Sequence, residues 1–210
     1  NEIGHLGQPV LDTGFPEHIW DWERNRLYGI GHSGDILVYN TNNHTVIFHG
    51  NPVDSETSTE YNWENRSRLL DRETGFLYGS DNTDNTILRY DPLNNSFRVM
   101  QSSLQNSIRA CSNVKEEDGS FWIFDRDGNV YKFYPDQDNL VSHGTNLGNG
   151  GYATFIERSP GGRYLYYCFA GFSSMPVVQY DTQTGNKKVI AFLGFFCNNE
   201  RRRKCLHQGY

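Results

Sequence analysis

The chain has 210 residues, of which 36% are hydrophobic, 14% aromatic and 21% charged, and its formal net charge is −6 at pH 7. This composition indicates a folded, polar-leaning globular chain and excludes an intrinsically disordered one. The negative charge disfavours a nucleic-acid partner, which requires a basic surface, and no apolar stretch approaches the roughly 18–20 residues that cross a bilayer.

The chain opens with a short predicted strand and continues as four similar units. Residues 3–10 share their pattern with residues 140–150, where a final strand leads into an exit loop. Each unit has an apolar strand, a charged turn, an aromatic strand, a Gly/Asn/Asp turn, a strand that ends in an aromatic residue, a polar turn and a last strand. The units span residues 17–50, 64–100, 108–144 and 152–194.

Two aromatic landmarks move together through the four units. The landmarks of the second strands are spaced by 50, 44 and 44 residues, and they are Tyr28, Tyr78, Trp122 and Tyr166. Those of the third strands are spaced by 51, 43 and 47 residues, and they are Tyr39, Tyr90, Phe133 and Tyr180. A period of about 40–50 residues with four strands per unit is typical of β-propellers. We assign these aromatic residues to packing between blades.

The predicted fold is therefore all-β, a β-propeller of about four four-stranded blades plus the N-terminal strand. The middle strands are apolar on both faces, as expected where blades stack face to face. Asp127-Gly128 is a typical tight hairpin turn. The N-terminal strand has no place among these four blades, and the segment after the fourth blade is too short for another. We therefore expect this to be part of a larger ring of six to eight blades.

The segment after the fourth unit, residues 195–210, is predicted to be an irregular basic tail. Its run of three arginines and a lysine is either a patch for an anionic partner or targeting factor, or a solvated terminus. Cys111 and Cys168 lie in predicted strands and are interpreted as small buried hydrophobic residues. Cys197 and Cys205 flank the basic run and could pair only in an oxidising compartment.

Two stretches resemble bacterial propellers of the gluconolactonase (senescence-marker-protein) type. Residues 17–28 contain a Glu followed by the pattern W-D-x5-L-Y, and residues 159–185 contain SPGGRYLYY followed by VVQYDTQTG. The resemblance covers about residues 3–193 and is greatest to uncharacterised secreted propellers, which implies an extracytoplasmic location. These motifs specify the fold far better than an activity.

The gluconolactonase resemblance implies a divalent metal, such as calcium, held by a Glu, Asn residues and an Asp in the central channel. Glu17 matches the Glu, whereas Thr154 stands near the expected Asn. No cofactor is required outside this alternative. A second propeller group, the polysaccharide lyases, uses His, Tyr and Arg at the channel mouth, but no lyase motif matches residue by residue.

Candidate site residues lie near the starts of the predicted inner strands. Arg66, Arg68 and Arg109 could clamp a carboxylate, or could instead form ion pairs between blades with Glu64, Asp71 or Glu117. Two further candidates are catalytic. His18 could act as a general base, because imidazole side chains transfer protons near neutral pH, and Tyr152 could donate to a glycosidic oxygen. Both residues could instead simply line the channel. His32 is a further ligand-binding candidate in the turn after the second strand.

Three functional hypotheses are consistent with these residues. The first is recognition of a carbohydrate or other small anionic ligand at the channel mouth, with polysaccharide-lyase activity as an extension. The second is a non-catalytic protein-interaction scaffold, because no complete catalytic motif is present. The third is a metal-dependent lactonase or hydrolase that depends on Glu17. Open blade faces would also expose apolar surface and favour self-association.

Overall fold

The computed structural model describes residues 17–147, 152–170 and 174–194, and these form four antiparallel sheets of four strands each. The predicted all-β propeller of four blades is confirmed, whereas the larger ring stays a prediction. The predicted strand over residues 3–10 and the tail with Cys197 and Cys205 lie outside the described residues. The described ranges contain no α-helix and one short 3-10 turn at Pro135–Gln137.

Within each blade the strands follow one another in space as they do in the chain. Blade 1 contains β1 (Glu17–Asp21), β2 (Arg26–Ile30), β3 (Ile36–Asn40) and β4 (Thr45–Gly50). Blade 2 contains β5 (Leu69–Leu70), β6 (Leu77–Ser80), β7 (Thr86–Asp91) and β8 (Ser96–Ser103). Blade 3 contains β9 (Ile108–Cys111), β10 (Phe121–Asp125), β11 (Asn129–Tyr134) and β12 (Asn139–Thr145). Blade 4 contains β13 (Tyr152–Arg158), β14 (Tyr164–Ala170), β15 (Ser174–Asp181) and β16 (Lys187–Gly194).

The hydrophobic core lies between the blades rather than within any one of them. Three clusters of buried side chains join blade 1 to blade 2, blade 2 to blade 3, and blade 3 to blade 4. Among the described residues no such cluster joins blade 4 to blade 1. Each blade therefore depends on its neighbour to remove its apolar face from water.

The aromatic landmarks show this arrangement directly. Six of the eight are buried between blades, and they are Tyr28, Tyr78, Tyr90, Trp122, Phe133 and Tyr180. Tyr39 of blade 1 and Tyr166 of blade 4 are only half-buried. Both lie in a terminal blade of the described array, where one face lacks a neighbouring blade among the described residues. The predicted packing role is therefore complete only between adjacent blades.

Polar contacts at the rim tie blade 3 to blade 2. Asp138, in the turn before β12, accepts backbone N–H groups from Gln101 at 2.6 Å and Ser102 at 2.9 Å on β8. Burial alone would raise the pKa of this carboxyl, but these N–H donors hold it below its usual value. The outer edges of the two blades are thus joined by a charge-assisted bond as well as by apolar contact.

Gly79 on β6 is required by a close approach of an aromatic ring. The indole of Trp63 is buried and donates from Nε1 to the Ser67 carbonyl at 2.6 Å. A Cβ atom added at Gly79 would lie 2.1 Å from Cε2 of this ring. The absence of a side chain on β6 therefore makes room for the ring that covers blade 2.

We expect Gly79→Ala to lower the free energy of unfolding by about 1–3 kcal/mol, because overpacking forces the Trp63 ring or the strand to shift. The measurement is urea unfolding followed by tryptophan fluorescence. Gly161→Ala is the matched control, because an added Cβ there meets no atom within 4 Å. Equal stability of the two variants would show that the Trp63 ring is not fixed against β6.

Candidate functional site

One polar pocket is lined by residues from the inner strands of all four blades or from the segments beside them. Its lining comprises Glu17, Arg66, Arg68, Arg109, Ala110, Cys111, Asn113, Thr154, Phe155, Ile156 and Glu157. The cavity volume is about 160 Å³. Because blade packing draws the inner strands together, side chains that are distant in the chain meet here. The structure thus brings Glu17, Arg66, Arg68 and Arg109 into one place.

Arg68 is committed to an ion pair with Glu17. Its Nη1 atom donates to Oε2 of Glu17 and links blade 2 to blade 1. The backbone carbonyl of Arg68 also accepts the Cys111 thiol at 2.8 Å, which links blade 2 to blade 3. Arg68 is therefore held from both sides, and its guanidinium is already neutralised by a carboxylate.

Arg109 is committed in the same way to Glu64. Its Nη1 atom lies 3.1 Å from Oε1 of Glu64, and the two side chains are only 11% and 6% exposed. Glu64 lies in the segment before β5, so this pair links blade 3 to blade 2. A charge buried this deeply is stable only with its partner, since water cannot replace the lost interaction.

Arg66 differs from the other two arginines of the pocket. It is half-buried, and no carboxylate among the described residues lies within ion-pair distance of it. A guanidinium is always charged and presents a planar set of donors that fits a carboxylate. Arg66 is therefore the cation of this pocket whose charge is available to a ligand.

The fourth side of the pocket is formed by β13 of blade 4. Neighbouring side chains on a strand point to opposite faces. Ile156 is buried in the core between blades 3 and 4, whereas Phe155 is 43% exposed and Glu157 is exposed. A register shift between Ala153 and Phe155 gives this strand its local irregularity. Phe155 and Glu157 therefore lie on the face of β13 that is turned away from blade 3, and both residues also line the pocket.

The thiol of Cys111 in the pocket wall is not a suitable nucleophile. Burial raises its pKa to about 12, although the neighbouring Arg68 acts in the opposite direction. The thiolate is the reactive form, so a thiol with this pKa is inert near neutral pH. Cys111 and Cys168 both lie in strands and are both free, and the predicted strand positions are confirmed.

The predicted site residues His18 and His32 are not among the described residues that line this pocket. His18 is exposed on β1 and is not among the described lining residues. His32 is exposed in the loop after β2, where its Nδ1 atom lies 3.0 Å from Nδ2 of Asn65. Tyr152 begins β13, and its side chain is not among those that the structure describes. The catalytic roles of His18 and Tyr152 stay predictions.

The residues of the pocket do not fit a metal site centred on Glu17. Its carboxylate accepts the guanidinium of Arg68, so binding a cation would require that pair to break. Nowhere in the described ranges do three or more His, Cys, Asp or Glu side chains form a group that could hold a metal ion. Calcium is held by several oxygen ligands that converge on one point, and carboxylates are usually among them. The ion pair with Arg68 argues against a metal bound to Glu17, and the metal that the gluconolactonase resemblance implies stays a prediction.

The arrangement of blades is similar to that of many solved propellers. No protein-family model matches the chain, and no curated protein matches it. An auxiliary nutrient binding protein from Bacteroides thetaiotaomicron matches 85% of this chain and 41% of its own, with 14% identity and a TM-score of 0.58. The extracellular domain of a one-component system from the same organism matches 93% of this chain and 24% of its own, with 14% identity and a TM-score of 0.61.

A third similar structure is a WD40 propeller, whose name says nothing about nutrients. The WD40 repeats of RRP9 match 84% of this chain and 51% of their own, with 6% identity and a TM-score of 0.62. The chain thus spans about half the length of these solved structures or less. At these identities the likeness shows the propeller fold and carries no information about the ligand. The gluconolactonase-type likeness stays a prediction.

No helix long and apolar enough to cross a membrane occurs in residues 17–147, 152–170 and 174–194.

Sequence reasoning missed Phe155 and Glu157, which both line the pocket. It also left open whether the arginines bind a ligand or form ion pairs between blades, and the geometry gives ion pairs to Arg68 and Arg109. A signal for Glu157 was present in the repeat. Glu157 pairs with Tyr166 as Leu69 pairs with Tyr78, so the carboxylate occupies a position that is aliphatic in another blade.

We expect Arg109→Ala to lower the free energy of unfolding by about 3–5 kcal/mol, because it leaves the buried Glu64 carboxylate without its partner. Urea unfolding measures this loss. The double variant Arg109→Ala/Glu64→Ala should recover part of it. Arg98→Ala is the control, since Arg98 and Glu56 form a pair in which both side chains are more than half exposed. A small effect at Arg109, similar to that at Arg98, would contradict the role assigned to this pair.

Proposed function

We propose that this propeller is an extracytoplasmic ligand-recognition domain that binds a small carboxylate-bearing ligand, a carbohydrate acid or another anion, in the pocket between its inner strands. The observation that carries the proposal is the state of the three arginines. Arg68 and Arg109 are neutralised by Glu17 and Glu64, whereas Arg66 has no carboxylate partner in the described part of the chain.

A half-buried cation without a protein partner favours an anionic ligand for a physical reason. Removing a guanidinium from water costs free energy unless another group replaces the lost hydration. A ligand carboxylate replaces it with two parallel hydrogen bonds, which also fix the orientation of the ligand. The two paired arginines support this site because they hold the surrounding strands in place rather than competing for the ligand.

The size of the pocket limits the ligand to a small molecule. A volume of about 160 Å³ lies below the roughly 300–1,000 Å³ of sites for drug-sized ligands. One sugar unit or a comparable small acid therefore fits better than a long chain. A longer glycan would be recognised through one of its residues, with the remainder outside the pocket.

The solved propellers provide context for this proposal. One is called an auxiliary nutrient binding protein and another an extracellular domain. We propose by analogy that this chain also acts outside the cytoplasm and binds a nutrient-like ligand. The analogy is one of fold alone, so the proposal depends on the pocket residues.

Turnover is a weaker extension of this proposal than binding. A lyase would need a base beside the carboxylate held by Arg66, and the predicted base His18 is exposed outside the pocket. We therefore propose recognition as the main activity and keep polysaccharide-lyase activity as an extension. An assay for unsaturated uronate products in the presence of acidic polysaccharide tests that extension.

Arg66→Ala should weaken the binding of glucuronate or galacturonate by about 10- to 100-fold, because a hydrogen-bonded charge contact contributes about 1.5–3 kcal/mol. Arg66→Lys should retain part of the affinity, since the charge remains but the planar pair of donors is lost. Isothermal titration calorimetry measures both effects on folded protein.

Arg98→Ala is the control in this experiment as well, because it removes an exposed guanidinium outside the pocket. It should bind as the unmodified protein does. Unchanged affinity in Arg66→Ala, or no binding of any small carboxylate by the unmodified protein, would overturn the proposal.

The alternative of a protein-interaction scaffold is favoured by one specific observation. The outermost strand of blade 4, β16, carries a row of exposed apolar side chains, which are Val189, Ile190, Phe192 and Leu193. An exposed apolar edge strand is a common site of association. If this surface mediates self-association, Phe192→Lys should shift sedimentation towards the monomer. A monomer at all concentrations before substitution would rule out self-association through β16.

A further inference from the structure

Glu157 departs from the blade repeat at a position that is buried and aliphatic in blades 1 and 2. Glu157 pairs with Tyr166, Ile19 with Tyr28 and Leu69 with Tyr78 in the same register. Ile19 is 8% exposed and Leu69 is fully buried. Blade 4 has a carboxylate in place of this aliphatic residue, and there the position faces the pocket. In blade 3 the residue opposite Trp122 is Ser112, which is polar but buried, so blade 4 is where this position carries an exposed charge. A departure of this kind from the repeat is where a functional residue is expected.

Glu157 is also available to a ligand. It is exposed, and in the ranges that the structure describes it forms no ion pair. After the pairs Arg68–Glu17 and Arg109–Glu64 are set aside, Arg66 and Glu157 are the two charged side chains of the pocket wall that remain. The pocket therefore has a hydrogen-bond donor, Arg66, which we call the donor pole, and an acceptor, Glu157, which we call the acceptor pole. The two residues belong to different blades.

Phe155 adds an apolar surface beside these two poles. Its ring is 43% exposed, although most aromatic residues of the inner and middle strands are buried. The face of an aromatic ring carries negative charge and attracts polarised C–H groups, which one face of a sugar ring presents in a row. A ring exposed in an otherwise polar pocket thus favours a ligand with both an apolar face and polar edges.

We infer that the ligand of this pocket is a polyhydroxylated acid of the sugar-acid class, a single uronate unit, bound at both ends. Arg66 holds its carboxylate, Glu157 accepts hydrogen bonds from its hydroxyl groups, and Phe155 packs against its C–H face. This inference rests on the proposed function, because it assumes that Arg66 binds the carboxylate. It goes further by assigning specificity to blade 4.

Simple carboxylates and neutral sugars each satisfy only one pole of the pocket. A carboxylate without hydroxyl groups would make no hydrogen bond to Glu157, which would stay hydrated, and so it would lack that contribution to binding. A neutral sugar would leave the Arg66 guanidinium without its counter-charge. The two poles together therefore select for acids that carry hydroxyl groups.

The test compares four probes by calorimetry: glucuronate, cyclohexanecarboxylate, which has the ring and the carboxylate but no hydroxyl groups, glucose, and alanine as a small zwitterion. The variants are Arg66→Ala, Glu157→Gln and Glu157→Ile, the last of which restores the aliphatic residue found at position 19. Glu117→Gln removes an exposed carboxylate outside this pocket and is the matched control.

We expect glucuronate to bind at least tenfold more tightly than cyclohexanecarboxylate or glucose. Glu157→Ile should weaken glucuronate binding by about tenfold or more, and Glu157→Gln by less, because an amide is a weaker acceptor than a carboxylate. Neither substitution should weaken the binding of cyclohexanecarboxylate, whereas Arg66→Ala should weaken both acids. Phe155→Leu should weaken glucuronate binding without lowering the unfolding midpoint by more than Glu117→Gln does.

The failure of this inference can be told apart from the failure of the proposed function. If both acids bind equally and depend on Arg66 but not on Glu157, recognition of anions stands and the sugar-acid specificity is wrong. If alanine binds more tightly than glucuronate and depends on Glu157, the ligand class is a zwitterion and the inference is overturned. If no probe with a carboxylate binds to a folded protein, both proposals fall.

Discussion

The whole structure depends on the need to cover both apolar faces of each blade. A four-stranded sheet whose middle strands are apolar on both sides cannot remain in water, so each blade packs against the next. The three core clusters accordingly lie between blades and leave the inner strands side by side. Convergence of the inner strands is thus a consequence of blade packing, and it creates the pocket without any element dedicated to it.

The convergence of the inner strands also partly removes charged side chains from water, which costs desolvation free energy. Ion pairs between blades offset part of this free energy. Among the described residues, five such pairs link a cation on one blade to a carboxylate on the preceding blade. They are Arg68–Glu17, Arg109–Glu64, Lys115–Asp71, Lys115–Glu73 and Arg158–Glu116. Removing either partner of a buried pair leaves an uncompensated charge, so these pairs stabilise the contacts between adjacent blades. Arg66 and Glu157 are informative because they stand outside this system.

The fold could be predicted from the sequence because the aromatic landmarks repeat. Residues that recur at the same position in every unit are those that pack between blades. The site could be predicted only in part. Arg66, Arg68 and Arg109 were located because inner strands start at known points of the repeat, but their partners depend on side-chain directions that spacing does not give. Phe155 was assigned to no site because a register shift in β13 changes which side chains face the pocket. His18 is the opposite case, a residue that was predicted for the site but is not among the described residues that line the pocket.

The ligand has to be argued from departures from the repeat rather than from the repeat itself. Propellers with 6% and 14% identity to this chain share its architecture, and one of them is a WD40 domain while another is a nutrient binding protein. Whatever the blades have in common therefore serves the fold, and cannot distinguish ligands. A carboxylate in place of a buried aliphatic residue costs stability unless it meets water or a partner. Glu157 is exposed and meets water, so the carboxylate is tolerated on the uncovered face of blade 4, and it also lines the pocket, where a ligand can reach it.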